Sequence, residues 1–131
     1  MVVKLIEAKE DKITIADLID DLKKSKKVDY SGAIFTFEGI VRGKEENFDL
    51  EKLILTTPNK KKTLKEIKEI VEKAKIKFNV HEISVIHYIG EFYTGDSLFL
   101  VAVLGSHREE MIEIGRACVG KECRSRWSPY H

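Results

Sequence analysis

Apolar residues recur at helical spacing in three stretches of the chain, and each stretch opens on a capping sequence. Thr14 to Asp17 is a T-x-x-D start, followed by Ile15, Leu18, Ile19 and Leu22 and closed by Lys23-Lys24. Thr63 to Glu66 is a second box, with Leu64, Ile67, Val71, Ala74 and Phe78 on one stripe and Asn79 as a C-terminal stop. The preceding Lys60-Lys61-Lys62 reads as a solvated loop. Ser106 to Glu109 is a third box, after which Met111, Ile112, Gly115, Cys118 and Val119 make a narrower stripe.

Between these predicted helices lie β-rich runs. Ala33 to Arg42 alternates in part, and Leu50 to Thr57 reads as its antiparallel partner across the charged loop 43–49. Ile83 to Tyr93 and Ser97 to Leu104 form a second hairpin through Thr94-Gly95-Asp96. The predicted order is α β β α β β α: an α+β fold with a mostly antiparallel sheet built from two hairpins and three helices. Neither a long linker nor an internal repeat interrupts it, so residues 1–131 are expected to form one domain.

Composition narrows the function classes. With 43% hydrophobic and 34% charged residues the chain has the makings of a core and a heavily charged surface. Lys and Arg number 23 against 22 Asp and Glu, so no global field draws it to nucleic acid or an anionic membrane, and any basic site must be local. The start, Met1-Val2-Val3-Lys4-Leu5-Ile6-Glu7, meets charge too early for a signal peptide, and no apolar run approaches a membrane span. A cytoplasmic location is expected. Cys118 and Cys123 are five apart within a predicted helix, on different faces, and read as reduced thiols.

Local chemistry concentrates between Ser106 and Trp127. Gly115 to Lys121 matches the first seven positions of a phosphate-binding P-loop, but Glu122 stands where a hydroxyl should meet magnesium, and the segment continues a helix. His107-Arg108 lies in the first turn of the third predicted helix, where a cation opposes the dipole and an anion is favoured. A solvent-facing pair balanced by Glu109 and Glu110 explains these residues equally well. Lys121, Arg124 and Arg126 surround Cys123 and precede Trp127, a set that serves either as a wall for a flat anion or as ordinary helix-end charge with a packing aromatic. His81 and His87 read as surface or partly buried imidazoles, and the histidine spacing gives no metal ligand set.

Three stretches in this order, Gly32-Ala33-Ile34-Phe35-Thr36-Phe37-Glu38-Gly39-Ile40-Val41-Arg42, Val85-Ile86-His87-Tyr88-Ile89-Gly90-Glu91 with Gly95-Asp96, and Ser106-His107-Arg108, precede a Lys followed six positions later by Trp, Lys121 and Trp127. From about Asp29 to Trp127 the chain thereby resembles the large, catalytic subunit of molybdopterin synthase, the MoaE-type family. The resemblance implies an α/β hammerhead-type fold and a sulfurtransferase of molybdenum cofactor biosynthesis. Such an enzyme adds two sulfurs to cyclic pyranopterin monophosphate, each taken from the thiocarboxylated C-terminal Gly-Gly tail of a small ubiquitin-like partner. It implies a homodimer with a small subunit at each end, a heterotetramer, and neither cofactor nor metal.

Carried over position by position, the resemblance makes Lys121 the catalytic lysine and gives Arg42, His107 and Arg108 the substrate's phosphate and pterin. Arg124 and Arg126 are neighbouring charge, and Trp127 a wall or packing residue. The chain departs from the family pattern at Ser128, where a second functional lysine commonly follows the tryptophan, and in ending at His131. Those departures motivate an alternative: a relative without turnover that binds the small carrier protein or a pterin.

Overall fold

The computed structural model describes residues 2–10, 12–45, 48–49, 52–107, 109 and 112–113. Its elements in chain order are β1 (Val3–Glu7), α1 (Ile15–Lys23), a 3-10 helix (Lys26–Tyr30), β2 (Ala33–Ile40), β3 (Lys44–Glu45), β4 (Phe48–Asp49), β5 (Leu53–Leu55), α2 (Lys60–Lys77), β6 (Glu82–Phe92) and β7 (Ser97–Gly105). Helix α1 starts where its capping box predicts: the Thr14 hydroxyl accepts from the Asp17 amide at 3.2 Å, and the Asp17 carboxylate accepts from the Thr14 amide at 2.9 Å. Its buried residues are Leu18 and Leu22.

Helix α2 starts one turn earlier than its sequence box. The Asn59 side chain accepts from the Lys62 amide at 3.1 Å, and the Thr63 amide already donates to the Asn59 carbonyl at 3.0 Å. Thr63 spends its hydroxyl on Thr57, 2.5 Å away, and caps nothing. The three lysines expected in a loop are therefore the first turn of α2, where no acid balances the helix dipole. Lys60 instead pairs with Glu7 from β1 at 2.5 Å, and that bond raises the lysine's pKa. At the other end Asn79 takes φ +53, the left-handed conformation expected of a helix stop.

The five-stranded sheet is mixed and runs β1-β6-β7-β2, with β5 also on β6. The β6–β7 hairpin is antiparallel as predicted, but β2 pairs with β7, from Ala33↔Gly105 to Ile40↔Ser97, and not with the run at 50–57. That run contributes only β5, which pairs with Gly90 to Phe92 of β6. The expected first hairpin fails because β7 offers β2 a longer buried ladder, Leu100 to Leu104, than three residues of β5 can. The charged loop itself holds the small antiparallel ribbon β3–β4. Strand β1, short and parallel to β6, has no counterpart in the predicted order.

Alternation along β6 and β7 divides the core. Ile86, Tyr88, Leu100, Ala102 and Leu104 face α1 through Leu18 and Leu22, whereas Ile83, Val85, Val101 and Val103 face α2 through Ile67 and Val71. The result is a sheet with one helix on each face. The described residues hold two α-helices and one 3-10 helix; the third predicted helix, from Ser106 onward, falls mostly outside the described residues.

Candidate functional site

Two strand ends carry the described candidates. At the exit of β7, Gly105 accepts from the Gly32 amide at 2.9 Å, and a Cβ on Gly32 would stand 2.7 Å from the Ser106 carbonyl oxygen. Only glycine allows that approach. His107 comes next, exposed to solvent.

His81 supports this corner from the next strand over. Its amide donates to the Leu104 carbonyl at 2.8 Å, its carbonyl accepts from Lys27 Nζ at 3.2 Å, and its ring lies between two hydroxyls. Nδ1 is 2.7 Å from Ser31 Oγ and Nε2 is 3.0 Å from Ser106 Oγ. Ser31 donates its hydroxyl hydrogen to the Lys27 carbonyl at 2.7 Å. Nothing in the spacing of the sequence links His81 with Ser106, so by sequence alone His81 is an unremarkable imidazole.

At the other end of the sheet, the ladder of β2 is interrupted by a bulge between Gly39 and Ile40. The chain is then fixed again by the β6–β7 turn: the Val41 amide donates to Asp96 at 3.0 Å, and the Gly95 amide donates to Val41 at 2.8 Å. The turn closes on itself through the Tyr93 amide to the Asp96 carboxylate at 2.7 Å. Val41 is buried and Arg42 beside it is exposed, so the backbone is anchored where the chain leaves the sheet.

The register separates the two ends. Gly105 sits opposite Ala33, and Arg42 lies nine positions further along β2 and its extension. At the rise of a strand that is at most roughly 30 Å. One chain therefore does not bring Arg42 and His107 to the same small molecule.

Between the ends, His87 is buried, and its ring stacks on Phe99 with centroids 6.2 Å apart. Phe99 also packs on Phe37 at 5.3 Å and lies over Gly39. The Nδ1–H of His87 donates to the Tyr88 carbonyl at 3.0 Å, which fixes its neutral tautomer. Burial pushes its pKa below 6.5, against a smaller opposing effect of that hydrogen bond. His87 is thus a core residue and not a surface imidazole.

Arg108, Lys121, Arg124, Arg126, Trp127 and Ser128 lie outside the described residues, as do Cys118, Cys123 and the P-loop-like run from Gly115. Among the described residues no helix is long and apolar enough to cross a membrane.

Comparison with known proteins places this framework. The family model described as MoaE protein matches residues 8–122. The catalytic subunit of molybdopterin synthase from Escherichia coli is 35% identical over 89 residues, 67% of this chain and 58% of that protein. The chain thus spans little more than half the length of that relative. The corresponding subunit from Thermoplasma volcanium is 28% identical over 116 residues, 88% of this chain and 81% of its own length. Among solved structures, molybdopterin synthase from Staphylococcus aureus superposes with a TM-score of 0.69 at 22% identity, covering 85% of this chain and 75% of that one, a likeness of fold. A complex of subunits 1 and 2 of molybdopterin-converting factor from Helicobacter pylori gives 0.62 at 26% identity over 88% of this chain and 73% of that one. With a family match that runs from the end of β1 through both strand ends and past Lys121, the chain belongs to the MoaE family.

Proposed function

We propose that the chain is the catalytic subunit of a cytoplasmic molybdopterin synthase, a sulfurtransferase with the hammerhead-type arrangement of its family. It moves sulfur from the thiocarboxylated Gly-Gly tail of a small ubiquitin-like carrier to cyclic pyranopterin monophosphate and so forms the dithiolene of molybdopterin. The observation that carries this reading is the family match over residues 8–122, which spans Arg42, His107, Arg108 and Lys121. The Helicobacter pylori complex of two converting-factor subunits supports a carrier partner.

The chemistry asks for two services. The substrate's phosphate and pterin need cations with directional donors, which Arg42, His107 and Arg108 supply, each charge-assisted bond contributing about 1.5–3 kcal/mol. Transfer needs a group at the carrier's carbonyl carbon: for each sulfur, a carbon–sulfur bond to the pterin side chain forms as the carbon–oxygen bond it replaces breaks and that oxygen departs protonated or with the phosphate, while the carrier's carbon–sulfur bond breaks and water adds there to leave a carboxylate. Lys121 serves there, either by transient bonding to that carbon or by positioning the thiocarboxylate and moving protons. Arg124 and Arg126 are assigned neighbouring charge, and Trp127 the role of a wall or packing residue.

The separation of Arg42 from His107 bears on assembly. If both hold one substrate, they come from different chains, and the homodimer within a heterotetramer becomes a requirement of the site. Purified protein mixed with thiocarboxylated carrier and cyclic pyranopterin monophosphate is expected to yield dithiolene product. Loss of product in Lys121→Ala supports the lysine's role, and no product from the unaltered protein with a verified carrier overturns the reading. Ser128, in place of a second lysine, favours a second reading: tight carrier binding by calorimetry with zero turnover marks a binding module.

A further inference from the structure

We infer that His81 is a positioning residue for the corner that presents His107, acting through Ser106; the kinetic part of this inference rests on the substrate site proposed above. The hydrogen-bond chain has a fixed direction. Ser31 has one hydroxyl hydrogen and gives it to the Lys27 carbonyl, so at His81 it can only accept, and Nδ1 carries the ring proton. In the Nδ1–H tautomer Nε2 is the acceptor, and the Ser106 hydroxyl donates to it.

That direction governs the start of the segment beyond Ser106. Ser106 opens the third capping box, and a capping serine uses its oxygen lone pairs to accept from first-turn amides. With its hydrogen held by His81, the Ser106 hydroxyl keeps one orientation, and the Ser106 backbone that leads directly into His107 is held with it. The base of the hydrogen-bond chain does not drift, because the His81 backbone is fixed on one side by Leu104 and on the other by Lys27. The Ser106 carbonyl lies close over Gly32, where any Cβ would collide with it, so the corner depends on glycine at that position. A histidine is needed because only a ring with nitrogens on two edges spans both serines.

Asparagine and glutamine separate the two edges. His81→Asn places an amide near Nδ1 and keeps Ser31 but loses Ser106; His81→Gln reaches the Nε2 position and keeps Ser106. In nitrogen-detected spectra His81 is expected as the Nδ1–H tautomer, and the His107 amide resonance is expected to shift in His81→Asn and in Ser106→Ala but to stay in place in His81→Gln. In sulfur-transfer kinetics at saturating carrier, Asn should raise the KM for the pterin substrate about three- to tenfold with kcat within about twofold, the loss of one hydrogen bond, and Gln should leave KM within about twofold. An Nε2–H tautomer, or equal displacement of His107 in the Asn and Gln variants, overturns the inference whatever the kinetics show. If the spectra behave as expected while neither His107→Ala nor His81→Asn changes KM, the corner is positioned by His81 and the assigned substrate site is what fails.

Discussion

At the scale of single residues, the environment of each histidine decides its part, and little of that environment is written near it in the sequence. His87 belongs to a run of β-formers and gains its burial from strands on both sides, β1 and β7. Because burial lowers its folded pKa below 6.5, the unfolded chain binds the proton more readily, so this contribution to stability is complete above about pH 6.5 and declines as pH falls below it. Thermal unfolding followed between pH 7.5 and 5.5 should show a falling midpoint that is blunted in His87→Phe; identical slopes for the two proteins would exclude His87 as the source. Residues whose partners lie a few positions away were legible: Thr14 with Asp17, and Asn79 with its left-handed backbone. His81, whose hydroxyl partners are 50 and 25 positions away, was not.

At the scale of elements, helix periods were legible, and the errors came from competition between partners. Thr63 and Asn59 both qualify as caps, and the pairing of the Thr63 hydroxyl with Thr57 leaves Asn59 to start α2. Asn59→Ala is expected to cost about 1 kcal/mol and to speed hydrogen exchange in the first turn of α2, measured by denaturant titration and amide exchange. Burial sets a larger scale for α1. Leu22 is wholly buried against the sheet, so Leu22→Ala should cost about 2–5 kcal/mol in the same titration. A loss below about 1 kcal/mol would mean that α1 is not held by this face. The pairing of β2 with β7 was illegible for a different reason: nearest-neighbour reading favours the run at 50–57, whereas the buried ladder that wins lies some 60 residues further along the chain.

At the scale of the whole molecule, the α+β class was legible, whereas the placement of Arg42 relative to His107 was not. The β2–β7 pairing sets Arg42 and His107 at opposite ends of the sheet, a consequence of strand register that no run of residues near either one reveals. The proposed homodimer would reconcile that separation with a single substrate. Arg42→Ala and His107→Ala should each be nearly inactive alone, every site in either homodimer lacking one contact. Co-refolded or subunit-exchanged in equal amounts, they should form about one half mixed dimers, each with one intact site and one doubly altered site. The decisive measurement is dithiolene formation by that mixture with thiocarboxylated carrier: recovery to about one quarter of the unaltered activity is the predicted result. Activity no greater than that of the two parents, with mixed dimers shown to be present, would contradict a site shared between chains.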